Sequence, residues 1–203
     1  EEYTEIMDQY FRRSLQESKT GHRLFANKRP FALVALGSYG RKELCYHSDI
    51  DIMVLFRDKI PSTASTLAEE LLYPLWDLGL ELGYAIRDIR DCLTLSKKDF
   101  MVFTSLLDAR FIGGESPLYL KLLGNISEKV IAKKSVTFRK WIEQSTSTRM
   151  DAFGDASYLL EPHLKEGIGG LRDYHNMLWL ARVFFDAKVP LSLIHISEPT
   201  RPY

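Results

Sequence analysis

Residues 31–36 are apolar without exception, and the run stops at Gly37-Ser38-Tyr39-Gly40. A run this short, entered from Pro30 and closed by glycine, reads as a buried strand ending in a tight turn. A second strand follows over residues 50–56. Ile50, Ile52, Val54 and Phe56 share one of its faces, and Asp51, Met53 and Leu55 share the other. Two buried strands joined by a glycine turn require a sheet, so the chain cannot be a simple helical bundle.

The rest of the chain is largely helical in pattern. Residues 1–27 read as one helix, and Lys28-Arg29-Pro30 breaks it. A helix spans residues 61–78 with Pro61 near its first turn, and residues 80–89 read as a third strand. Helices are then expected over 97–112, 117–131, 136–153 and 171–187, the first of them ended by Gly113-Gly114. Residues 161–170 form a glycine-containing loop. The expected fold is α+β: a small mixed sheet with flanking helices, followed by a helical half. The sheet domain is expected to cover residues 1–94 and the helical domain 95–190. Trp179, Phe184 and Phe185 are expected in the core, with His163 and His175 in the loop and on the helix surface.

The 203 residues carry 27 basic and 27 acidic side chains, giving net zero charge. No global basic field exists to hold nucleic acid by its phosphates, so none is expected as a partner. No apolar run approaches the ~18 residues that span a bilayer, so no membrane is expected either. The two cysteines, Cys45 and Cys92, lack metal-ligand spacing and are expected to stay reduced in the cytoplasm.

The chemistry concentrates at the strand ends. Asp49 and Asp51, two apart on a strand, present their carboxylates to one side. Such a pair suits Mg²⁺, a hard cation that takes one or two carboxylates and completes its shell with water and phosphate. The other reading is a solvated surface pair. Gly37 and Gly40 let backbone approach a ligand, Ser38 offers a hydroxyl and Arg41 a cation. Together these make a phosphate cradle beside a metal clamp. Glu81 is the candidate third carboxylate, as metal ligand or general base; the alternative is a charged residue on an edge strand. His47 lies near the pair without a clear role.

Residues 36–38 with Asp49-Ile50-Asp51-Ile52 resemble the signature of the polymerase-beta-type nucleotidyltransferase superfamily. Residues 35–44, followed by His47-Ser48-Asp49-Ile50-Asp51, resemble the bacterial PII-protein uridylyltransferases. So do residues 75–83 with Arg87, and most closely residues 160–173. The resemblance covers roughly residues 33–181. Departures fall at Cys45, Tyr46, Asp88, His163 and Ile168, and none removes a metal or phosphate group. The resemblance implies Asp49 and Asp51 as catalytic metal ligands and the Gly37-Ser38 turn as the triphosphate holder. It implies UTP as donor, Mg²⁺ as cofactor and a tyrosine of a PII signalling protein as acceptor. A related enzyme using ATP or another acceptor, and a silent nucleotide-sensing module, are the alternatives. Whole family members also carry a UMP-removing hydrolase and sensing domains. No His-Asp metal cluster is visible here, so removal is not assigned to this sequence.

The segment from Lys165 to Arg172 has two readings. Gly167, Gly169 and Gly170, a helix start and the cations Lys165 and Arg172 favour an anion, which makes the loop a second phosphate contact. Alternatively, the glycines only turn the chain, and Lys165, Glu166, Arg172 and Asp173 pair among themselves. Residues 191–201 resemble the in-frame translation of a sequencing adapter. Native sequence is therefore expected to stop near Pro190, with 191–203 as an artefactual tail. The start lacks Met, so a fragment is expected there too.

Overall fold

The computed structural model describes residues 2–153 and 163–185. It forms two compact units, Glu1–Val130 and Ile131–Tyr203. In the first, α1 (Glu2–Glu17) and α2 (Lys19–Ala26) precede β1 (Phe31–Ala35). Then come α3 (Gly37–Gly40), β2 (Ile50–Phe56), α4 (Ala64–Asp77) and β3 (Leu82–Asp88). Next are α5 (Ile89–Lys98), α6 (Phe100–Leu107), β4 (Arg110–Gly114) and α7 (Ser116–Ile126), which runs into a π-helical turn, Ser127–Ile131. The second unit holds α8 (Ala132–Phe153) and α9 (Leu171–Phe185). The class is the expected one: a small mixed sheet with helices around it.

The sheet order is β3-β2-β1-β4. The central pair is antiparallel, with Ala35 opposite Ile52. β2 and β3 run parallel, with Asp51 level with Gly83. A parallel neighbour needs a crossover, and α4 supplies it. Ala35, Leu33 and Phe31 join Ile50, Ile52, Val54 and Phe56 in one core with Met7 and Phe11 of α1 and Leu67, Leu71 and Leu75 of α4. The opposite face is closed as well: Met53 is fully buried and meets Cys92 of α5, with the sulfurs 3.7 Å apart. β1 is therefore buried along its whole length, which is why its sequence shows no alternation.

Several expectations need correcting. The N-terminal helix is two helices. Ser18 is extended and accepts from the Gly21 amide, capping a new helix start. The expected helix over 97–112 is shorter, confined to α6, and its last residues form a strand. Asp99 caps α6 by accepting from Met101 N, and β4 follows along the edge of β1. The Gly113-Gly114 pair ends a strand rather than a helix: a Cβ at Gly114 would lie 2.4 Å from Phe31 O. Because β4 returns to the sheet, the units divide after Val130 and not near residue 94. Of Trp179, Phe184 and Phe185 only Trp179 is buried; Phe184 and Phe185 are 44% and 81% exposed. His175 is buried at 7% exposure, against its expected surface place. Residues 154–162, 186–190 and 191–203 lie outside the described residues, and with them part of the 160–173 motif, the end of the last expected helix and the tail. Among the described residues no helix is long and apolar enough to cross a membrane.

Candidate active site

The site grows from the crossing of β1 into β2. Leu36 leaves β1 extended, and its amide donates to the Asp51 carbonyl at 2.9 Å. Gly37 then takes φ of +54°, a left-handed backbone that disfavours a side chain. One helical turn follows, closed by Gly40 N to Leu36 O at 2.8 Å and Arg41 N to Gly37 O at 3.1 Å. No side chain caps its start.

The Asp51 carboxylate stands in a slot between two glycines. A Cβ at Gly37 would come to 2.9 Å from Asp51 Oδ2, and one at Gly83 to 2.2 Å from Oδ1. Gly83 forms one wall of this slot and was missed by sequence reasoning, because only the parallel register between β2 and β3 brings it level with Asp51. Asp51 is half-buried and Asp49, just ahead of the strand, is exposed. Glu81 lies immediately before β3, where its carbonyl accepts from Ile50 N at 3.0 Å. Strand parity puts it on the sheet face of Gly83 and Asp51. Among the described residues, however, no three His, Cys, Asp or Glu side chains gather into a metal cage. His47 is exposed and stacks edge-on to Tyr46 at 5.1 Å between centroids. Two carboxylates, one of them in a glycine-cut slot, fit a divalent cation that takes its remaining ligands from water and phosphate.

Other predicted residues are placed differently. Ser38 is half-buried beside the slot, and its carbonyl accepts from Glu43 N at 2.8 Å. Gly40 makes room for protein, since a Cβ there would meet Asp108 O at 2.1 Å. Arg41 turns to the buried Asp108 and bonds Glu43 at 2.7 Å. Burial pulls its pKa down, but these two carboxylates outweigh that and raise it. Its charge is thus met inside the protein. Behind the turn, Tyr39 donates to Asp8 at 2.8 Å, and Arg110 forks onto the same carboxylate at 2.6 and 2.9 Å. Burial opposes the Asp8 charge, yet the Arg110 and Tyr39 hydrogen bonds hold its carboxyl below the usual range. Burial and the Asp8 carboxylate push the Tyr39 hydroxyl far up.

In the second unit, the loop after residue 162 is bonded to itself. Gly167 N donates to His163 O, Gly170 N to Gly167 O, and Leu171 N to Leu164 O. Gly169 N donates to Asp173 Oδ2 at 2.8 Å. Arg172 pairs with Glu166 at 2.9 Å. Arg149 of α8 donates to the Glu166 carbonyl at 2.6 Å and pairs with Asp173. Lys165 is exposed. The amides of Gly169 and Gly170 are therefore used within the loop, and the geometry favours the self-paired reading over the anion site.

The GlnD PII-uridylyltransferase family model matches residues 137–197, ending inside the stretch that resembles an adapter. The DUF294 nucleotidyltransferase family model matches residues 1–86. A bifunctional uridylyltransferase/uridylyl-removing enzyme from Azospirillum brasilense is 37% identical over 155 residues, which is 76% of this chain and 17% of that protein. The chain thus spans under a fifth of that relative's length. A crystal structure of a toxin–antitoxin with AMP-PNP aligns with 66% of this chain and 98% of its own. Its TM-score is 0.37 at 16% identity, a likeness too loose to inform the site.

The family matches make this a nucleotidyltransferase domain, of a type that generally uses a divalent metal. Within that class, the chain is similar to the PII uridylyltransferases.

Proposed function

We propose that this site transfers UMP from UTP to a tyrosine hydroxyl of a PII signalling protein in the cytoplasm, releasing pyrophosphate. The observation that carries the reading is the Asp51 carboxylate held between Gly37 and Gly83, beside an uncapped glycine turn. Asp49 and Asp51 would hold Mg²⁺. When bound, the ion neutralises charge building on the phosphates. The Gly37 and Ser38 amides orient the triphosphate, and Glu81 is the proposed third carboxylate. The tyrosine oxygen bonds to the α-phosphorus as the bond to pyrophosphate breaks, and the hydroxyl proton leaves to a base or water. The protein's contribution is chiefly positioning and fixed charge.

The name of the Azospirillum relative supports uridylyl transfer. The test is Mg²⁺-dependent pyrophosphate release from UTP in the presence of PII protein, with Asp51→Asn as control. The expected loss is about 10³-fold, the scale for removing a preorganised charge contact. Equal release from the folded Asp51→Asn chain would overturn the reading, and so would faster turnover with ATP than with UTP.

A further inference from the structure

We propose that Arg110, locked by Asp8, is the positioning residue for the Gly37 and Ser38 amides. This rests on the reading of their turn as the phosphate cradle.

One guanidinium serves two hydrogen-bond relays. In the first, Arg110 donates to Tyr39 O at 3.1 Å. The same peptide plane carries Gly40 N, which donates to Leu36 O at 2.8 Å. That carbonyl in turn shares a plane with Gly37 N. In the second, Arg110 Nε donates to Gly40 O at 3.2 Å. Its plane carries Arg41 N, which donates to Gly37 O at 3.1 Å. That plane ends in Ser38 N. Both relays finish at the first two amides of the turn. Each cationic bond at one end polarises and fixes the planes between.

Asp8 makes the guanidinium rigid. It accepts both terminal N–H groups from α1, and the Tyr39 ring lies under the guanidinium at 5.2 Å. A lysine keeps the charge but cannot present a planar fork to two carbonyls and a carboxylate at once. The residues are thus neither ligands nor bystanders: they act through the turn.

The test uses the full chain with Arg110→Lys, Asp8→Asn and Asp8→Glu. The readouts are the amide NMR shifts of Gly37 and Ser38, and the Kd of magnesium tripolyphosphate, which reports phosphate grip without the base. In folded Arg110→Lys both amide shifts move, and Kd rises about tenfold, as expected for losing hydrogen bonds to a charged group. Asp8→Asn follows it, and Asp8→Glu recovers most of the affinity. Unmoved Gly37 and Ser38 shifts, or an unchanged Kd, would overturn the proposal. If Arg110→Lys does not fold, Tyr39→Phe replaces it; that variant removes only the hydroxyl on Asp8, and a loss of roughly two- to threefold is expected. An unaltered chain that binds no tripolyphosphate sinks the phosphate reading of the turn, while the shifts still decide whether Arg110 sets it.

Discussion

Two glycine-rich segments of this chain look alike as sequence and differ in what fills the space their side chains leave. At Gly37 and Gly83 the space holds the Asp51 carboxylate, which reaches between two backbones from a third element. At Gly167 and Gly170 it holds the loop's own carbonyls: His163 O lies 2.7 Å from one ideal Cβ and Leu164 O lies 2.7 Å from the other. The first arrangement seats a carboxylate against two backbones. The second folds a tight connection into α9. Glycine beside charge is therefore a poor sign of a ligand site, and the occupant of the glycine's empty side discriminates better.

The sharpest way to break this comparison is Gly83→Ala. The added methyl displaces the Asp51 carboxylate by about an ångström, which costs roughly 10²-fold in turnover. Gly83 lacks a left-handed backbone, so the fold survives, and circular dichroism should be unchanged. Full activity in Gly83→Ala would show that the slot does not matter. Arg149→Met tests the other side. It leaves the Asp173 carboxylate and the Glu166 carbonyl without their buried partner, and costs about 2–3 kcal/mol in denaturant unfolding of the second unit. Tripolyphosphate affinity should not follow it.

Acid sharpens the same contrast. The Arg172 hydrogen bond, opposed by burial, holds the Glu166 carboxyl below its usual range. A depressed folded pKa contributes stability that is full above the unfolded value, about 4.3, and is lost as pH falls through the folded value. Hydrogen exchange over residues 163–173 should therefore accelerate below about pH 4. Glu166→Gln should flatten that dependence. The smallest effect belongs to Lys165→Ala. An exposed side chain on a self-paired loop is worth within about 0.5 kcal/mol. A tenfold loss of tripolyphosphate affinity would restore the loop as a second phosphate contact.

What was legible in the sequence was local. The apolar run into Gly37 gave β1, and the largely apolar run after Asp49 gave β2. What was not legible depended on distant pairing. Gly83 matters only through the register with Asp51. Arg110 meets Asp8 across 102 positions and does so from β4, whose five residues follow a helical stretch and end in glycines that mimic a helix stop. Arg41 looked available because nothing nearby announced Asp108, which lies 67 positions away. Asp99, a helix cap two residues into the expected helix, marks the junction of α5 and α6.

The Leu36 amide to Asp51 carbonyl bond has one more consequence. It joins the carboxylate strand to the glycine turn directly, across the sheet ladder. Alignment of the two halves does not travel through the intervening connection, where Cys45, Tyr46 and His47 are exposed. The exposed tip Cys45-Tyr46-His47 thus stands apart from the chemistry, whereas Glu43, bonded to Ser38, and Asp49 at the end of the connection do not. Lineages and engineers alike have latitude at that tip to lengthen it, graft recognition sequence into it or recode it, while the two halves keep their mutual aim.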